Sequence, residues 1–360
     1  MWPDKRLVDL FGIELPIVQA PMAGAQGSAM AIAVSQAGGL GSLPCAMLSL
    51  EQARAEIGVI RQQTDRPFNV NFFCHRAPAR DEAVERAWRG VLGAHYAEFG
   101  IDPESIPQGP GRNPFDEAFC AMVEELRPKV VSFHFGLPEP ALLERVKAAG
   151  CVVVSSATAA AEARWLEENG ADAIIAQGYE AGGHRGHFLR DNLMSQPGTM
   201  ALVPQVVDAV KVPVIAAGGI ADARGVAAAL ALGAAGVQIG TAYLFAPEAR
   251  ISAIHRAALE RARDDTTALT NIFTGRPARG IVNRAISELG PIATAAPPFP
   301  LATGAIAPLR AKAEAAGSGE FTPLWSGQAA SLARAMPAGD FTRAVMAAAQ
   351  ALLQRLSQPR

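Results

Sequence analysis

Two imidazoles and a guanidinium stand inside one short glycine-rich stretch, Gln177-Gly178-Tyr179-Glu180-Ala181-Gly182-Gly183-His184-Arg185-Gly186-His187-Phe188. Imidazole titrates near neutrality, so His184 is a candidate general base or anion-binding donor. The glycines around it let the backbone come close to a ligand. The stretch follows Ala171-Asp172-Ala173-Ile174-Ile175-Ala176, a run short and apolar enough for a buried parallel strand. A histidine-bearing glycine loop at the C-terminal end of such a strand is where α/β enzymes place their chemistry. Taken alone, it reads equally as a glycine-rich turn with a solvated histidine.

Buried amides add a second signal. Asn69 and Asn71 are two apart and share one face of a strand over 68–73. Leaving a buried amide unpaired costs on the order of a few kcal/mol, so both need partners. Gln177 and Gln238 end two further strands and raise the same question. Neighbouring backbone could satisfy all of them; their convergence on one rim favours a hydrogen-bonding frame for a heteroaromatic ring. Ala217-Gly218-Gly219-Ile220 and Gly240-Thr241 follow the seventh and eighth strands, where barrels commonly bind phosphate on exposed backbone N–H groups. No GxGxxG follows a first strand and no GxxxxGK[ST] occurs, so neither a Rossmann dinucleotide site nor a P-loop is indicated. The expected ligand is mononucleotide-like, with its phosphate at Gly219 and Gly240-Thr241 and its ring near Met22, Asn71 and Gln177. FMN fits that description.

The other histidines carry less. His134 and His75 end strands and read as pocket-lining or packing residues. His187 reads as solvated or supporting, His95 and His255 as surface residues of helices, and Trp325 as a pocket lid or core, with core favoured.

Positioning these groups requires a repeating frame. Apolar runs at 16–20, 40–43, 68–73, 129–134, 151–155, 171–176, 213–217 and 235–239 alternate with helical patterns. Eight β/α alternations favour a closed α/β barrel, the (β/α)8 or TIM barrel, over a doubly wound sheet. Ser49 and Gln52 have capping-box spacing and open a helix to Gln63. Residues 81–99 read as one helix, 100–113 as a Pro/Gly-rich surface insertion, and Pro247 to Asp265 as a long helix. The barrel is assigned to 1–265. Residues 266–360 are expected to form an appended, mostly helical segment, with a Pro-rich linker over 291–308, that packs on the barrel and helps cover the pocket.

Composition narrows the function class. The 360 residues carry 32 Lys+Arg against 34 Asp+Glu, which gives no basic field for nucleic acid. Cys45, Cys74, Cys120 and Cys151 are scattered without CxxC or metal-ligand spacing and read as reduced thiols. No apolar run reaches membrane-spanning length, and the first residues lack a signal core. A soluble cytoplasmic protein without metal, membrane or nucleic-acid partner is expected; the oligomeric state is left open.

Several stretches resemble the nitronate monooxygenase (2-nitropropane dioxygenase) family, FMN-dependent TIM-barrel enzymes. They are Gln19-Ala20-Pro21-Met22-Ala23-Gly24, Phe68-Asn69-Val70-Asn71-Phe72, Gly178 to Phe188, Ala217-Gly218-Gly219-Ile220 and Gly236-Val237-Gln238-Ile239-Gly240-Thr241. Phe273-Thr274-Gly275-Arg276-Pro277-Ala278-Arg279-Gly280 and Leu324-Trp325-Ser326-Gly327-Gln328 look like bacterial class I members. The resemblance implies FMN contacts at Met22, Gly24, Asn71, Gln177, Gly182, Gly218, Gly219, Gln238, Ile239, Gly240 and Thr241, with His184 catalytic. It implies oxidation of an alkyl nitronate, such as propionate 3-nitronate, or of a nitroalkane, by O2 to a carbonyl compound and nitrite. One departure bears on the substrate pocket: where the class I pattern has tyrosines after the barrel, this chain reads Pro298-Phe299-Pro300-Leu301. Phe299 and His134 are the expected pocket residues. The alternatives are an NAD(P)H-dependent FMN reductase of enoyl thioesters or quinones, and a protein whose flavin is structural.

Overall fold

Short β-branched and alanine-rich runs, cut by glycine and proline, alternate with amphipathic helices. In the computed structural model, which describes residues 2–106 and 112–358, the strands in chain order are β1 (Ile17–Gln19), β2 (Gly41–Pro44), β3 (Phe68–Phe73), β4 (Val130–His134), β5 (Val152–Ala157), β6 (Ala173–Gln177), β7 (Gly183–His184), β8 (Val214–Ala217), β9 (Gly236–Ile239), β10 (Thr267–Thr270) and β11 (Ala278–Ile281). Eight of them pair in parallel in the order β1-β9-β8-β6-β5-β4-β3-β2. A parallel bridge between Val18 and Leu40 joins the two ends, so the sheet closes into the expected (β/α)8 barrel.

β3 shows how the sequence sets the layers. Phe68, Val70 and Phe72 point outward and pack with Ala53, Ile57 and Ile60 of the helix Leu50–Gln63. The alternate residues Asn69 and Asn71 point into the barrel, as their two-residue spacing requires. The helix Leu50–Gln63 opens with the expected capping box: Ser49 Oγ accepts from Gln52 N at 3.2 Å, and Gln52 Oε1 accepts from Ser49 N at 2.9 Å.

Three helical expectations change. The pattern over 81–99 breaks at Leu92 into helices Glu82–Val91 and Gly93–Glu98, though Trp88, Leu92 and Tyr96 stay on one buried face. The helix expected from Pro247 to Asp265 is shorter, Ala253–Arg261, and the chain turns extended at Thr267. The expected linker over 291–308 becomes helix from Ala302, running to Ala315 with Pro308 inside it. Burial of Ile306, Leu309 and Ala313 against Trp88, Tyr96 and Phe321 outweighs the cost of an interior proline, about 3 kcal/mol. Of the insertion expected over 100–113, residues 103–105 form a single 3-10 turn, and 107–111 lie outside the described residues.

The chain after β9 makes an excursion and then returns. β10 and β11 form an antiparallel hairpin, and β11 pairs with β7 at Ala278–His184 and Arg279–Gly183. The last helix, Ala338–Ser357, packs between helices Ser28–Gln36 and Ala223–Ala231, placing Phe341, Val345, Met346 and Ala349 in the main barrel core. It occupies the position of the helix that would otherwise follow β9, and Tyr243 and Thr342 join the two by hydroxyl contact at 2.7 Å. Among the described residues no helix is long and apolar enough to cross a membrane, and the four cysteines are free.

Candidate active site

At the C-terminal ends of the barrel strands lies a cavity of about 580 Å³. Met22 and Gly24 of the loop after β1, Asn71 of β3, His134 of β4 and Gln177 at the end of β6 line it. Gly182 and His184 lie at β7, Gly218 and Gly219 follow β8, and Gln238, Gly240 and Thr241 end β9. Two residues expected at the site stand back from the cavity. The Ile239 side chain points the other way and is fully buried in the barrel core, because it alternates with Gln238 along the strand. Phe299 packs behind the histidine, its ring centroid 5.3 Å from that of His184.

Three contacts hold His184. Its carbonyl accepts from Gln177 Nε2 at 3.0 Å and from His134 Nε2 at 3.2 Å, while its own Nε2 lies 2.9 Å from Thr274 Oγ1. Its Nδ1 has no partner among the described residues and is not one of the fully enclosed unpaired atoms, so it opens on the cavity. Burial, reinforced by the charge of Arg112, pushes the imidazole well below its usual range. At neutral pH His184 is therefore uncharged, which narrows the two forms open from sequence to the neutral base or N–H donor.

His134 cannot share that role. Its Nε2–H is donated to the His184 carbonyl and its Nδ1 lies 2.5 Å from the Ser156 hydroxyl, so both ring nitrogens are engaged. Burial drives its pKa down to about 3.

Gln177 serves the loop from both ends of its amide, since Oε1 also accepts from Gly186 N at 2.7 Å. Arg185 is fully buried and donates to the carbonyls of Gln177 (2.9 Å) and Gly178 (2.6 Å) and to Gln196 Oε1 (2.7 Å), fixing the loop from below. Glu180 is used structurally: its carboxylate accepts from Thr199 N and Oγ1 and caps the helix Thr199–Ala209.

Of the four amides singled out in the sequence, three line the cavity. Asn69 does not; it donates to the hydroxyls of Ser42 (3.0 Å) and Ser132 (2.9 Å) inside the barrel. Asn71 donates to Ser132 Oγ at 3.0 Å. The Gln238 amide has no partner among the described residues.

The loops after β8 and β9 form a cradle. Gly218 and Gly219 have φ of 111° and 70°, a conformation that turns successive N–H groups toward one point. The N–H groups of Gly218, Gly219, Gly240 and Thr241 have no acceptor among the described residues. Thr241 Oγ1 accepts from Gly327 N at 2.9 Å, which leaves its proton available to a ligand. Unpaired donors beside glycines suit a phosphate.

Three cavity residues depart from what the sequence favoured. Arg112 lines the wall next to Phe299, with no carboxylate at ion-pair distance among the described residues. It sits in a stretch without periodicity, where no sequence pattern marks it. Trp325, for which core was favoured over a pocket lid, lines the cavity half-buried, 5.6 Å from His184 between ring centroids. His255, expected at the surface, is buried and lies at the same wall, its Nε2 3.0 Å from the Trp325 carbonyl. His95 is buried as well, against Phe321. His187 is buried and pairs with Asp191 rather than being solvated.

A closed (β/α)8 barrel with its polar groups gathered at the C-terminal rim defines a barrel enzyme. The profile of the family described as nitronate monooxygenase matches residues 4–347. The nitronate monooxygenase of Pseudomonas aeruginosa is 43% identical over 343 residues, covering 95% of this chain and 98% of that protein. That of Paraburkholderia phytofirmans is 42% identical, covering 93% and 92%. Among solved structures, nitroalkane oxidase from Streptomyces ansochromogenes superposes with a TM-score of 0.89 at 38% identity, covering 98% of this chain and all of that one. FabK from Thermotoga maritima superposes at 0.73 with 29% identity, covering 98% and 97%. The chain belongs to the nitronate monooxygenase family, and it is an oxidoreductase of nitronates.

Proposed function

We propose that the cavity binds FMN and that the enzyme oxidises alkyl nitronates, such as propionate 3-nitronate, with O2 to a carbonyl compound and nitrite. Neutral nitroalkanes enter the same reaction after losing an α-proton to His184. The bound flavin supplies single-electron transfer between substrate and O2.

The residues present fit that group. The unpaired N–H groups of Gly218, Gly219, Gly240 and Thr241 would hold its phosphate, with Gly182 beside them. The amides of Gln238, Asn71 and Gln177, with Met22 and Gly24, would frame its ring. On the substrate side, Arg112, without a carboxylate partner among the described residues, offers a cation to an anion, and His184 offers a neutral imidazole with Nδ1 open to the cavity. Water is limited there by Phe73, Trp325 and the buried Phe299. Thr322, Trp325 and Gly327 support a covering role for the segment after residue 265, and His134 shapes the floor.

The carrying observation is the His184 ring, its Nδ1 open to the cavity, on the same wall as Arg112, which has no carboxylate partner among the described residues, an arrangement suited to a substrate that is, or becomes, an anion. The test begins with the absorption spectrum and released chromophore of the purified protein, which should identify FMN. Propionate 3-nitronate added without air should change the flavin spectrum, and nitrite should appear once air is admitted. Turnover with NADH or NADPH and an enoyl thioester or quinone, without response to the nitronate, would overturn the assignment.

A further inference from the structure

We infer that Thr274 is a positioning residue that fixes His184 in its Nε2–H tautomer, so that Nδ1 takes the proton from a neutral nitroalkane. The proton step rests on the function proposed above; the tautomer does not.

Thr274 is 3% exposed, and its hydroxyl is, among the described residues, the group within hydrogen-bond reach of the His184 ring, at 2.9 Å from Nε2. A hydroxyl has one proton and two lone pairs. Around Thr274 Oγ1 lie the N–H of Arg276 at 3.4 Å, which donates to it, and the carbonyl of Arg276 at 3.3 Å, which accepts from it. That carbonyl has no other donor among the described residues. Directing the hydroxyl proton there satisfies every group: Oγ1 then accepts from the Arg276 N–H and from His184 Nε2–H. The opposite arrangement, with the hydroxyl donating to Nε2, leaves the Arg276 carbonyl without a donor. With Nε2 protonated, the neutral ring presents a lone pair at Nδ1, the nitrogen that opens on the cavity.

The fold sets this contact through strand register. Thr274 begins the turn into β11, whose Ala278 pairs with His184, and Arg185 N donates to the Pro277 carbonyl at 2.8 Å. Gly275 carries the turn at φ 88°, where a Cβ would meet the Pro297 carbonyl at 2.0 Å. A one-residue slip of β11 would carry the hydroxyl away from the ring.

In the reaction, the C–H bond next to the nitro group breaks and its proton bonds to Nδ1. The electron pair moves into the nitro group to give the nitronate, and His184 becomes an imidazolium beside it.

The test is imidazole nitrogen NMR on histidine-labelled holoenzyme, with His184→Asn to assign the signal. At neutral pH wild type and Thr274→Ser should show Nε2 protonated and Nδ1 bare, whereas Thr274→Val should shift toward the Nδ1–H form. In kinetics, Thr274→Val should lose at least about tenfold more kcat/KM on a neutral nitroalkane than on the preformed nitronate, within the range of a general base, and Thr274→Ser should recover most of it. A purely structural role would depress both substrates alike. An Nδ1–H His184 in wild type, or an unchanged tautomer in Thr274→Val, overturns the inference; if the valine variant does not fold, the wild-type spectrum still decides. Failure of the functional proposal would show separately, as absence of nitrite from wild type with the nitronate.

Discussion

Gln177 and His184, seven positions apart in sequence, close a loop on each other: the glutamine amide donates to the histidine's own carbonyl at 3.0 Å and accepts from Gly186 N at 2.7 Å. The strand-end amide therefore positions the histidine backbone while also facing the cavity. Gln177→Leu keeps the volume and removes both bonds, leaving buried polar groups unpaired at about 1–3 kcal/mol. The expected result is a lower melting temperature together with a loss of kcat of about tenfold or more. Unchanged turnover would show that the loop holds its shape without the amide.

Arg112 should set affinity for the anionic substrate. A charge-assisted contact is worth about 1.5–3 kcal/mol, so Arg112→Met should raise KM for a nitronate by about 10- to 100-fold. KM for a neutral nitroalkane should move much less. Equal changes in the two would contradict direct anion binding.

Burial depresses His75, His134, His184, His187 and His255 below the ordinary histidine range, His134 to about 3. Unfolded histidine titrates near pH 6.5, so above that value neither state binds the proton. Below about pH 6.5 the unfolded chain takes up protons that the folded chain refuses, and stability falls with pH. Thermal melts should be nearly level from about pH 8 to 7 and drop steeply from about 6.5 to 5. A level profile across that range would show that these rings gain protons without unfolding.

Gly182 touches the opposite cavity wall. A Cβ there would sit 2.5 Å from Gly327 N and 2.7 Å from the Ser326 carbonyl carbon, both backbone atoms that cannot swing aside. Gly182→Ala should displace Ser326-Gly327, break the Gly327–Thr241 bond and weaken flavin binding by about tenfold, within what loss of one or two hydrogen bonds produces. Fluorescence titration of the apoprotein with FMN would measure it; wild-type affinity would show that this wall is not part of the flavin site.

How much could be read in advance varies by element. β3 was legible to the residue, because Phe68-Asn69-Val70-Asn71-Phe72 alternates with period two and each face has a distinct partner. The barrel was legible from eight short apolar runs alternating with helical patterns. The helix around Pro308 was not, since its buried face meets Trp88, Tyr96 and Phe321, more than 200 positions away for Tyr96 and Ala305. Local propensity and tertiary packing disagree there, and packing prevails.

The same division runs through the site. Glycine spacing and strand-end amides placed His184, Gln177 and the loops after β8 and β9 at one rim, because each lies within a few residues of a strand whose end the pattern already marks. Arg112 and Trp325 reach that cavity, and Thr274 reaches the His184 ring behind it, from segments with no periodic signal, and only strand pairing and side-chain packing bring them in. The alternating strands by themselves determined a barrel with a histidine at its mouth. Whether that histidine is charged, and which of its nitrogens faces the cavity, was decided by the tertiary structure, since burial, Arg112 and the Thr274 hydroxyl come from distant parts of the chain.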